Sequence, residues 1–146
     1  MDSSLDPDGD IDSHHIRNLQ EKKNVLTNLN MFNKYYIAVL RNHFADFNGR
    51  ATREEFWYYF LFNVVISTGL GLIGALVGFD WLSSIYSLAV FVPTLALAVR
   101  RLHDIGKSGW WYCVVFIPLA GFIWLIILWA KEGMHGPNAY GVDPRA

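Results

Sequence analysis

Residues 56–99 run for about 44 positions with Asp80 as their only charge. A basic stretch follows at 100–109, and a second uncharged run of about 21 residues fills 110–130. A soluble domain buries apolar residues at helical or strand spacing; it does not gather them into uncharged blocks of bilayer length. The chain therefore reads as an all-α membrane protein. Its 53% hydrophobic and 16% aromatic content fits, because those residues are concentrated rather than periodic.

Three transmembrane helices are expected, at about 56–79, 81–99 and 110–130. Phe56, Trp57, Tyr58, Tyr59 and Phe60 form an aromatic belt where the first begins, and Phe79 and Trp81 mark its far end. Ser67, Gly71, Gly74 and Gly78 share one face of that helix, and Gly74 with Gly78 makes a GxxxG pair. This face is expected to take a closely packed second helix, from the same chain or a second copy. Pro93 should free a carbonyl and kink the second span, with Thr94 at hand to help satisfy it. The third run opens on Trp110, Trp111 and Tyr112 and closes on Trp129, with Pro118 and Gly121 between. A kinked span is the expectation there; a re-entrant hairpin is the alternative.

Residues 1–30 read as a polar extension, disordered at least over 2–15, where Asp2, Asp6, Asp8, Asp10 and Asp12 offset little apolar surface. Met31 offers an alternative start, and no signal peptide is expected, so the first apolar run would act as its own insertion signal. Residues 31–144 form the membrane domain. At its start Phe32, Tyr35, Tyr36, Val39 and Leu40 recur at helical spacing opposite Asn33, Lys34, Arg41 and Asn42. That is an N-terminal amphipathic helix, suited to the interface, to packing on the bundle, or to both.

The basic residues set an orientation. Lys34, Arg41, Arg50 and Arg53 precede the first span, Arg100, Arg101 and Lys107 lie in the second loop, and the turn at Asp80 has none. The N-terminus and the 100–109 loop are therefore expected in the cytoplasm, and the C-terminus outside unless 110–130 is a hairpin. No dense basic stripe lies elsewhere, so nucleic acid is not an expected partner. Cys113 alone gives no disulfide and reads as a small buried hydrophobe.

Three short segments stand out: G-R-A-T-R-E-E-F-W at 49–57, R-R-L-H-D-I-G-K-S-G-W-W at 100–111, and G-P-N-A-Y-G-V-D-P at 136–144. In this order around apolar spans they resemble the domain-of-unknown-function 805 family of small bacterial inner-membrane proteins, over about residues 31–144. The resemblance implies a bacterial inner-membrane location and no assigned reaction.

Read as chemistry, Arg50 and Arg53 hold the entry to the first span and, with Arg100 and Arg101, make arginine motifs fit for anionic headgroups. Glu54 and Glu55 suit a first helical turn or pair with those arginines. Asp104, Gly106 and Ser108 read as turn and cap residues. Asp104 has a second reading, as an ion-pair partner for an arginine of the 49–57 segment. Arg101 and His103 are left without a structural explanation. Neighbours on one turn diverge, so His103, Asp104 and Ser108 are not expected to form a triad. His43, His103 and His135 lack ligand spacing, so no metal or cofactor is expected. Tyr140 reads as an interface anchor. The expected function is a non-enzymatic module that binds anionic lipid or a partner protein; the alternative is a subunit of an oligomeric transporter or channel assembled through the Gly74–Gly78 face.

Overall fold

A computed structural model describes residues 13–146. Helix α1 (Ser13–Phe32) passes through a π-helical turn (Asn33–Ile37) into α2 (Ala38–Asn42); α3 (Arg53–Val77), α4 (Trp81–Asp104), a 3-10 helix (Gly109–Phe116) and α5 (Ala120–Ala130) follow. Among the described residues there is no strand, only an isolated bridge between Asn138 and Gly141.

Two helices, α3 and α4, are long and apolar enough to cross a membrane. With 25 and 24 residues they extend about 36–38 Å, against a hydrocarbon core of about 30 Å. Thr52 caps α3 by accepting from the Glu55 N–H at 3.1 Å, and Glu54 and Glu55 lie in its first turn. Pro93 sits inside α4, where Thr94 donates to the Val90 carbonyl at 2.6 Å.

Within the single chain, among the described residues, no second helix packs closely against the glycine face of α3. Gly78 ends α3 at φ 82°, and the Phe79 N–H donates to the Gly74 carbonyl at 2.8 Å. A Cβ on Gly74 would stand 2.6 Å from the Phe79 carbonyl oxygen, so Gly74 and Gly78 build the turn into α4. No atom lies within 4 Å of a Cβ placed on Gly71 or Gly78.

The third run is not one helix. It is an eight-residue 3-10 piece, a turn at Pro118 and Leu119, and the 11-residue α5. Each piece reaches about 16 Å, half of what a crossing needs. Leu119 takes φ 59°, ψ −61°, and the Ala120 N–H donates to the Pro118 carbonyl at 2.7 Å, a three-residue γ-turn that reverses the chain. Pro118 brings no N–H to continue the first limb. Tyr112 near the start and Trp129 near the end come together, ring centroids 6.2 Å apart. The expected span is thus a hairpin whose two aromatic ends share one level. Cys113 is exposed on it rather than buried.

Packing concentrates at the basic end. Tyr36, Val39, Phe56, Tyr59, Leu97 and Ala98 form one buried cluster; Leu102 of α4 with Leu125 and Leu128 of α5 form another, where the hairpin packs on α4. Tyr36 stacks on Tyr59 at 5.2 Å, so the 31–44 segment packs on the helix pair. The extension differs from the disorder expected of it: from Ser13 it is helical, with every side chain exposed up to Asn30. The acidic stretch before it lies outside the described residues.

Candidate functional site

The three motifs of the sequence meet at one buried carboxylate. Asp104 ends α4 and is fully buried. Arg50, delivered by the loop before α3, donates from Nε to Asp104 Oδ1 at 3.0 Å and approaches the same oxygen with a terminal nitrogen at 2.9 Å. Arg101, one helical turn back, donates to Oδ2 at 2.5 Å. Arg145 closes the third side, 3.1 Å from Oδ1. The second reading of Asp104, a tie to the 49–57 segment, is the one observed.

Three guanidinium groups surround one carboxylate, and their remaining N–H donors are satisfied largely by backbone carbonyls, with Asp143 also pairing Arg145. Arg101 Nε donates to the Trp129 carbonyl at 3.0 Å and a terminal nitrogen donates to that of Lys131. Those oxygens belong to the C-terminal end of α5, where carbonyls lack helical partners and the dipole is negative. Arg50 donates to the carbonyls of Gly136 at 2.6 Å and of Met134. Arg53 reaches the Ala130 carbonyl at 3.4 Å. The backbone joins in: the Met134 N–H donates to the Asp104 carbonyl at 2.8 Å, and the Ala51 N–H to that of Arg100 at 3.0 Å.

His103 is also spent on architecture. Its Nδ1 donates to the Gly49 carbonyl at 3.1 Å, and its ring stacks on Tyr140 at 4.0 Å and 3°. Asn138 donates to its backbone carbonyl at 2.9 Å. Tyr140 is therefore held by His103. Arg100 pairs with Glu55 at 2.9 Å, both largely buried. Gly133 lies so close that an added Cβ would fall 1.9 Å from Asp104 Oδ2.

Arg50 and Arg101 were expected to meet headgroups. They are 6% and 0% exposed, with their donors committed inside the protein, so they clasp loops instead. Among the described residues, Lys34, Arg41, Arg53 and Lys131 are exposed cations outside the buried cluster; Arg17, Lys22 and Lys23 are exposed on α1, and Arg145 is exposed while it reaches Asp104. Arg145 and the Met134–Gly136 carbonyls escaped the sequence reading. Arg145 follows the 136–144 motif, but nothing in its spacing assigns it to Asp104.

Asp143 secures the tail. The Arg145 N–H, the Arg145 side chain and the Gly136 N–H hold its carboxyl down at about 2. Its folded value lies below the unfolded one, so its hold on the tail is complete above roughly pH 4 and is lost as pH falls through the folded value. The Asp143 carboxyl carbon resonance should titrate with a midpoint near 2; a midpoint at the ordinary aspartate value would show the tail untied.

A family model described as "Protein of unknown function (DUF805)" matches residues 44–142. Inner membrane protein YhaI of Escherichia coli K12 is 40% identical over 114 residues, covering 77% of this chain and 96% of that protein. Inner membrane protein YhaH is 36% identical over 117 residues, covering 76% and 96%. The uncharacterized protein YiiR is 31% identical over 132 residues, covering 67% and 85%. No solved structure matches the chain. With two helices of membrane length, these relatives locate the chain in the inner membrane.

Proposed function

The chain belongs to the DUF805 family, and from that premise we propose a non-enzymatic inner-membrane module with two crossings, a re-entrant hairpin and a cytoplasmic face that engages anionic lipid. The observation that carries this reading is the segregation of charge. Arg50, Arg53, Arg100, Arg101, Lys131 and Arg145 gather at one end of the α3–α4 pair, while the turn at the other end has Asp80 alone. Positive charge held on one side favours the cytoplasm, and it puts the loop before α3 and the chain's tail on that same side.

The buried arginines are architecture, so headgroup recognition falls to exposed cations near this end, among them Lys34, Arg41, Lys131 and Arg53, whose one bond in the clasp is the long contact to Ala130. A cation near an anionic surface contributes about 1 kcal/mol. Changing all four to Gln should lower the preference for phosphatidylglycerol over phosphatidylcholine by about tenfold or more in native mass spectrometry, with the melting temperature unchanged. An unaltered lipid preference would sink the headgroup reading.

A further inference from the structure

Beneath the clasp, α3, α4 and the hairpin enclose a cleft of about 340 Å³. Phe60, Val64, Phe91 and Phe122 on its border are exposed, so it opens sideways onto the surface that meets lipid. Its walls are mostly apolar, with polar groups brought to it by α3, α4 and the hairpin. Those groups mostly satisfy one another. Tyr36 donates to Tyr86, and Tyr86 donates to Asn63 Oδ1 at 2.6 Å. Tyr59 bonds Thr94 at 3.3 Å, and Thr94 donates onward to Val90.

Two donors on cleft-lining side chains have no acceptor: Asn63 Nδ2 and Trp129 Nε1, both buried. An indole N–H donates and cannot accept, and no acceptor among the described residues bonds Trp129 Nε1, so an acceptor brought by a ligand would satisfy it. Its depth narrows the choice. The Trp129 carbonyl is held by Arg101 in the clasp, and its ring lies 4.9 Å from that of Phe56, where α3 turns apolar. That is the boundary between headgroups and hydrocarbon, the level of phospholipid ester carbonyls.

We propose that the cleft binds one acyl chain of a glycerophospholipid, with its ester carbonyl accepting from Trp129 Nε1. The inference rests on the two crossings proposed above but not on headgroup charge, because the contact is to the ester. The volume is of ligand-site size, and a carbonyl supplies the acceptor that the pocket wants.

The test offers the full-length protein equimolar phosphatidylglycerols of identical chains, one diester and one diether, and reads retention by native mass spectrometry. The wild type should retain the diester about fivefold better, one hydrogen bond's worth. Trp129→Phe keeps the ring and should bring the ratio to about one. Val90→Trp, which fills the cleft, should reduce retention of both lipids. Equal retention of ester and ether by the wild type would overturn the proposal, as would a ratio unmoved by Trp129→Phe. A membrane quinone retained in preference to phospholipid would overturn it too. Failure of the headgroup reading leaves a different trace: sensitivity to the ester linkage with indifference to headgroup charge.

Discussion

Asp104→Asn should destabilise the protein by about 3–5 kcal/mol, the largest effect expected of a single side chain here. Its carboxylate is the one anion at the centre of Arg50, Arg101 and Arg145, and neither it nor Arg101 has any exposed surface. Asparagine keeps the shape but removes the charge, leaving Arg50 and Arg101 buried without a counter-ion. Their carbonyl partners cannot replace it, because carbonyls supply dipoles rather than charge. In detergent the melting temperature should fall by on the order of 10 °C. Arg145→Gln is the control: its side chain is 31% exposed, so the cost should be only about 0–1 kcal/mol. If Asp104→Asn melts alongside Arg145→Gln, the carboxylate is not what holds the three segments together.

The clasp explains which parts of the sequence were legible. Uncharged length reveals α3 and α4 directly, since hydrocarbon excludes charge over a fixed thickness. The motif residues were legible as a set, because Arg50, Arg101, His103 and Asp104 are costly to place near a membrane without a reason. Their purpose was not legible. An arginine that binds a headgroup and one that caps α5 read identically until it is known whether the chain after residue 130 returns to the same end. That return depends on a local turn at Leu119, which neither hydropathy nor aromatic belts report. Belts at Trp110 and Trp129 fit opposite interfaces or one interface equally well. The GxxxG pattern is ambiguous for a related reason: small residues admit a close neighbour without naming it, and at Gly74 the neighbour within this chain is the carbonyl of its own next turn.

Gly121→Ala separates the two readings of the hairpin by sign. In a continuous third span, Gly121 would be mid-helix, and alanine there should stabilise by about 1 kcal/mol. In the observed hairpin, a Cβ on Gly121 would stand 1.7 Å from the Val114 carbonyl oxygen and 2.8 Å from its carbon. That neighbour is backbone, so no rotamer change relieves the clash; the limbs must part, at about 3 kcal/mol. Parting them draws the C-terminal end of α5 away from Arg101, so the loss should couple to that of Asp104→Asn in a double-mutant cycle rather than add to it. A reporter fused after Ala146 should lie on the same side of the membrane as one placed in the loop before α3. A stabilised Gly121→Ala variant with the two reporters on opposite sides would restore the third span and dissolve the clasp, because Arg145 would then face Asp104 across the bilayer.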